Sequence, residues 1–371
     1  MKLSIAAGLL LSAAVLLPSY TALAEEAKQP GTIVLHKDDS KNEKYTADKL
    51  LFMTSEDDKG KLLFSDSPET VDEDGILYQD TVKGDVRLLY YHLNNMKDDK
   101  KVAVVIENLA DKPNKLTITR QATGGPSDDY LYVGKTTLSR YLADDRQQEM
   151  TLPPRYRTLL HAADNDRKIP YGGLVYGIFD FNAQRDLKVT VLMAPIDADL
   201  MTYVDKAPVL PKDLQRLRGT YDGKDRYLTN HSPFNPERMG KSYFYIGDNK
   251  TDLYKYGFDA TDHTATQNFG NYGVMYTFHP RLNGSGRTSY YLQPIGGVYA
   301  GVMTVRSGED GEKKIIRTPE ELPFYGHEKD LNYYSYLGTY SNQDDIYFEY
   351  TPPGASNLPV QIIMVPEEPE K

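Results

Sequence analysis

The sequence predicts an all-β fold with minor helix: two related β-sandwich domains of Ig-like or jelly-roll type in tandem. Three observations carry this. From Leu50 onward, apolar or alternating runs of strand length recur, among them Val86 to Leu93, Lys101 to Glu107, Lys115 to Arg120, Leu174 to Phe181 and Lys188 to Met193. Each is rich in Val, Ile, Leu, Tyr or Thr and is bounded by Asn, Asp, Gly or Pro, the composition of a pleated half-buried surface and its turns. No regular strand–helix alternation supports a parallel sheet. The two halves also match in order. Gln121 to Gly125 overlays Gln293 to Gly297 at an offset of 172, and Leu187 to Pro195 overlays Leu358 to Pro366 at 171. Between them, Phe179-Asp180-Phe181 resembles Phe348-Glu349-Tyr350. A repeat of this length is a domain duplication rather than a solenoid.

In chain order, residues 1–24 read as a secretory signal peptide. Lys2 supplies the positive start, Ile5 to Leu17 is apolar, and Ala22-Leu23-Ala24 is an A-x-A cleavage pattern before Glu25. The apolar run is about 13 residues, shorter than the roughly 20 of a spanning helix, so no membrane span is expected after cleavage. Residues 25–50 are a polar arm with one short apolar strand, Thr32 to Leu35. Residues 51–206 form the first expected sandwich. Within it Ala110 to Asn114 is a turn, and Ser127 caps a helix running to about Ala143, with Asp128 and Asp129 favourable to its dipole. Residues 207–217 are the expected linker. Its short helix starts with Pro211 in the first helical position and ends before Gly219. Residues 218–371 are the second sandwich.

Composition removes several function classes. The 371 residues contain no cysteine and no tryptophan and carry a net charge of −10. Without cysteine there is no disulfide framework, zinc-thiolate site, iron–sulfur cluster or cysteine nucleophile. An exported chain without cysteine suits a bacterial envelope or extracellular protein. The acidic balance argues against nucleic-acid binding, which needs clustered Lys and Arg.

Motifs of chemistry are sparse. The seven histidines form no H-x-H or H-E-x-x-H pattern. His92 and His279, both near strands, are read as hydrogen-bonded sheet residues rather than ligands. Asp164-Asn165-Asp166 and Asp222-Gly223-Lys224-Asp225 lack the twelve-residue calcium loop and read as solvated turns. There is no G-x-S-x-G elbow, S-x-x-K or phosphate loop. Gly284-Ser285-Gly286 reads as a hairpin turn, and the pairs Gly124-Gly125 and Gly296-Gly297 as turns or bulges that admit only glycine. No catalytic residue, metal site or cofactor is assigned.

Tyrosine is the unusual component, with 30 residues. Tyr243 and Tyr245 share one face of a predicted strand, with Phe244 and Ile246 on the other. Together with Tyr254 and Tyr256 they are the candidate ligand-binding residues, because tyrosine packs its ring while the hydroxyl stays wet. The competing reading is that tyrosine fills half-buried sheet positions usually held by other aromatics.

The first half carries a longer string: Leu63 to Glu69, Gly75 to Asp80, Gly84 to His92 and Val104 to Asn108. It resembles a set of uncharacterised secreted bacterial proteins, over roughly residues 50 to 200 and more weakly beyond. Relatives are often joined to the stalk domain named after the N-terminal region of copper amine oxidases. The resemblance implies an envelope-associated β module with no assigned reaction, here without a separate stalk domain. Amine oxidase chemistry does not carry over: Asn271-Tyr272-Gly273 and Asn332-Tyr333-Tyr334 lack the acid that follows the cofactor tyrosine, and H-x-H is missing.

The expected function is therefore a secreted or cell-envelope-associated, non-enzymatic binding or structural protein acting through protein or glycan contacts. One alternative is a secreted hydrolase with an Asp/Glu site on a β scaffold. Another is a calcium-dependent adhesion module.

Overall fold

A computed structural model describes residues 31–368. The signal peptide expected at residues 1–24, and the first residues of the arm, lie outside them. The fold is all-β with one substantial helix, Tyr130–Ala143, and the strands form three sheets.

The largest sheet is built on two long strands, Gly75–Asn94 and Leu174–Pro195, paired antiparallel along most of their length. The sequence breaks the second into two runs at Asn182 to Asp186. That hydrophilic stretch reads as a turn but stays extended: Ala183 pairs with Gly84, and pairing resumes at Leu187 on Val82 after a bulge. Gly84 has φ +81°, a conformation that favours glycine, and lets the partner strand bend there. The bend hands the long strand from one neighbour to another. Its first half pairs with Asn114–Ser127, and its second half with Lys100–Asn108. The sheet thereby wraps around a core of Val86, Leu88, Tyr90, Ile106, Phe181 and Val189.

The other two sheets face each other as a sandwich. One runs Thr32–His36, Leu331–Ser341, Arg287–Pro294, Val360–Pro366, Ser242–Ile246, Lys49–Leu50. Its partner runs Lys314–Thr318, Gly301–Ser307, Ile346–Tyr350, Met275–His279, Asp225–Asn230, Met53–Asp57. Between them Phe278 stacks on Phe348 at 4.8 Å and meets Phe244 edge-on at 5.4 Å. The arm strand expected at Thr32 to Leu35 is present. With Lys49–Leu50 and Met53–Asp57 it closes the outer edges of this sandwich.

The sheets do not divide at residues 207–217, where a linker is expected. Lys61–Ser65 pairs in parallel with Gly75–Asn94 on one side and antiparallel with Arg218–Asp222 on the other. The first sheet therefore continues into the second half. One apolar core likewise joins Leu62, Leu89 and Ile178 to Phe244, Tyr276 and Phe348. The overlay of the halves is not mirrored in the pairing. The offset would map the pair Ile106–Val189 onto Phe278–Val360. Instead Phe278 pairs with Phe348, and Val360 with Ile246 and Pro294.

Two local expectations are corrected. Residues 211–217 form no helix. The Asp213 carboxylate accepts from Ser67 Oγ, Glu69 N, Gln215 N and Arg216 N, and Arg216 takes φ +59° before the strand begins at Arg218. Those side-chain bonds offer the backbone an alternative to helical pairing. Gly284-Ser285-Gly286 does not close a hairpin, because Met275–His279 and Arg287–Pro294 lie in opposite sheets.

Candidate functional site

The helix Tyr130–Ala143 borders two concave surfaces. Asp129, not Ser127, is its N-cap, accepting from Tyr132 N at 3.0 Å. Ser127 acts one step earlier, accepting from Asp129 N. Val133, Thr137, Leu138 and Tyr141 form the buried face. That face packs so closely on Asn114–Ser127 that a Cβ at Gly124 would lie 1.9 Å from Thr137 Oγ1. At Gly125, φ +79°, a Cβ would meet Leu174 O at 2.1 Å, beside a register shift. These contacts give the glycine pair its physical reason.

Below the helix lies a buried charge network. Arg87, on the long first strand, donates to both carboxylate oxygens of Asp180 at 2.7 Å and to Tyr141 Oη at 3.0 Å. Its other nitrogen reaches Lys224 O and Gly273 O in the second half. One side chain thus ties both halves to the helix's last turn.

A cavity of 540 Å³ opens at the helix C-terminus. Arg140, Asp145 and Arg146 approach it from the helix end, Gln121 and Thr123 from the neighbouring strand, and His161 from a loop. Apolar groups, the small Ala122 and Ala143 and the ring of Phe179, complete the lining. Asp144 is tied up: burial would raise its pKa, but Arg146 and the Gln121 amide hold it below the usual carboxylate range.

His161 is held from behind. Its Nδ1 lies 3.0 Å from Oδ1 of Asp164, which is fully buried. Arg167 donates to the same oxygen at 2.7 Å and to Thr123 Oγ1 at 2.7 Å. A carboxylate on Nδ1 makes that nitrogen the N–H, so in the neutral imidazole Nε2 is an acceptor. The Gln121 side-chain oxygen is buried with no partner among the described residues. Arg140 bonds only the Thr123 carbonyl, at 3.2 Å, and forms no ion pair among those residues.

A second concavity, of 340 Å³, runs along the exposed stripe of the helix. It lies between Tyr132, Lys135, Thr136 and Arg140 and the segment around Arg317, Pro323 and Phe324. Arg140 borders both.

The four candidate tyrosines do not converge on either cavity. Tyr243 and Tyr245 lie on the outward face of Ser242–Ile246, half-buried, with ring centroids 5.2 Å apart, while Phe244 and Ile246 point inward as expected. Tyr254 packs edge-on against Phe269 at 6.0 Å. Tyr256 is 74% exposed, on Tyr256–Asp259 at the margin of the largest sheet. Most of the remaining tyrosines are core. Tyr276, Tyr290, Tyr299, Tyr325 and Tyr334 are among the largest fully buried side chains. Burial pushes the Tyr276 and Tyr325 phenols well above their ordinary pKa.

The remaining candidates are structural. His92 Nε2 meets Ser65 Oγ at 2.9 Å and its Nδ1 meets Pro68 O at 2.9 Å; both side chains are fully buried, so this pair fixes a loop. His279 bonds Ile346 O and stacks on Tyr347. Asp164 is occupied by His161 and Arg167, and Asp225 by Arg87 and Lys224. Among the described residues no three His, Asp or Glu side chains gather as a metal would require. No helix among them is long and apolar enough to cross a membrane.

Sequence reasoning missed Arg140, Gln121 and His161. One signal was available: Tyr132, Lys135, Thr136, Ser139 and Arg140 follow helical spacing and form a polar stripe with ring and guanidinium character.

No family model matches the chain, and no curated protein matches it. Similarity to solved structures is slight. A vicilin from Capsicum annuum is 10% identical over 74% of each chain, with a TM-score of 0.14. The PBSX exported protein XepA is 10% identical over 79% of this chain and 86% of its own, with a TM-score of 0.15. Oxalate decarboxylase from Bacillus subtilis is 9% identical over 83% and 76%, with a TM-score of 0.11.

Proposed function

We propose that the chain is a secreted or envelope-associated bacterial binding protein, non-enzymatic, that holds its protein or glycan partner along the helix Tyr130–Ala143. The observation that carries this reading is the pair of concavities flanking one helix and sharing Arg140. Both combine rings with charge: Tyr132 and Phe324 beside Lys135 and Arg317 in one, Phe179 beside Asp145 and Arg146 in the other. Sites of this size, with a few convergent polar groups, are the ordinary form of small-ligand recognition. Export rests on the signal peptide at residues 1–24, and the non-enzymatic assignment on the lack of a recognisable nucleophile or metal motif.

The test is retention of labelled envelope material by purified protein. Arg140→Glu is expected to lower retention at least tenfold, while replacing Tyr243, Tyr245, Tyr254 and Tyr256 together by Ala is expected to change it little. Loss with the tyrosine set and retention with Arg140→Glu would move the binding surface to the tyrosines. Export is checked by the N-terminal residue of protein recovered outside the cytoplasm, expected to be Glu25.

A further inference from the structure

We infer that the cavity at the helix C-terminus is a subsite for a sugar acid, a ring bearing one carboxylate and several hydroxyls. This deepens the binding reading above and rests on it.

The cavity gathers guanidinium groups with open donors and several acceptors. Arg140 is an exposed guanidinium with one carbonyl partner, at 3.2 Å, and no carboxylate partner among the described residues. Such a fork is best met by a carboxylate, which it binds through two parallel N–H donors. Arg146 brings a second guanidinium, bound to Asp144 through Nε, and the other groups are acceptors. Gln121 keeps a buried, unpartnered oxygen. The neutral His161 ring presents Nε2 as an acceptor, because Asp164 takes the Nδ1–H. Asp145 lines the wall beyond the helix end. A ligand that supplies donors to these acceptors gains where a purely anionic one does not.

These acceptors come from three separate segments: a strand, the residues after the helix and a loop. Donors spread around a ring reach several walls at once, whereas the donors of one ammonium group are concentrated at a single point. The floor of Ala122, Ala143 and Phe179 suits the less polar face of a sugar ring. A volume of 540 Å³ lies within the usual range of small-ligand sites, about 300–1,000 Å³. A phosphate dianion would place two charges beside Asp145, and a neutral sugar would leave Arg140 unmatched.

The experiment is calorimetric titration of the full mature chain with four probes: a hexuronate oligomer, the matching neutral hexose oligomer, glutamate and inorganic phosphate. The hexuronate oligomer is expected to bind at least tenfold more tightly than any other probe. Arg140→Gln is expected to remove that preference, and Gln121→Met to weaken binding several-fold while the melting temperature stays unchanged. Stronger binding of glutamate, phosphate or neutral sugar would overturn the inference, as would hexuronate binding that Arg140→Gln leaves intact. If no probe binds, the envelope-retention assay separates the two readings. Retention that still depends on Arg140 removes only the sugar acid, whereas retention indifferent to Arg140 removes the helix-flanking site with it.

Discussion

The long-stranded sheet and the sandwich beside it bury their strands in different ways. In Gly75–Asn94, all eight residues from Val86 to Leu93 are buried, so both faces are covered. Leu88 and Tyr90 face the core inside the bent sheet, and Leu89 and Tyr91 face the core shared with the sandwich. In Ser242–Ile246 burial alternates, with Phe244 inward and Tyr243 and Tyr245 half-open. A strand covered on both faces reads as a continuous apolar run, and one covered on a single face as an alternation. The difference teaches where a site finds support: the helix and its cavity rest on the doubly covered sheet, whose side chains have little freedom to move.

The sharpest way to break this comparison is Arg87→Met. It strands the Asp180 carboxylate in the interior and removes the tie to Tyr141, with an expected loss of about 3–5 kcal/mol in denaturant unfolding. The double variant Arg87→Met with Asp180→Leu should recover much of that loss. Next, Leu88→Ala and Leu89→Ala should each cost about 2–5 kcal/mol although they point to opposite faces. A small loss for either one would show that its face is not covered.

Acid should find the doubly covered sheet before the sandwich. Burial lowers the His92 pKa to about 4, below its unfolded value of about 6.5. The unfolded chain then binds more protons between these values. This group's contribution is complete above about pH 6.5 and is lost as pH falls towards 4, by up to about 3 kcal/mol. A pH series of urea midpoints measures it, and His92→Gln should flatten that window. The smallest effect is expected on the sandwich's open face: Tyr245→Ser should cost about 1 kcal/mol, the order of one edge-on aromatic pair.

Much of the strand content was legible in the sequence, because apolar runs bounded by turn residues leave a direct mark. The helix was legible too, its cap displaced only from Ser127 to Asp129. Continuity was harder to read. Asn182 to Asp186 has the composition of a turn, yet it spans a bend in one strand, and only the partner Gly84 shows which. The joining of the halves is invisible locally, since Lys61–Ser65 meets Arg218–Asp222 across a long stretch of chain. The candidate site shares that difficulty: Gln121, Arg140 and His161 belong to no motif and meet because a glycine lets the helix settle on its strand. Tyrosine density pointed elsewhere because most of those rings were serving as core.

The arm that closes the sandwich has a consequence for the order of folding. Thr32 pairs with Ser335, and Met53 with Asn230. These strands therefore wait for partners made much later, and contacts of such sequence separation form slowly. Until Thr32–His36 and Met53–Asp57 dock, Leu331–Ser341 and Asp225–Asn230 present open backbone edges, where a second chain could pair instead. Their docking is then also a protection against aggregation.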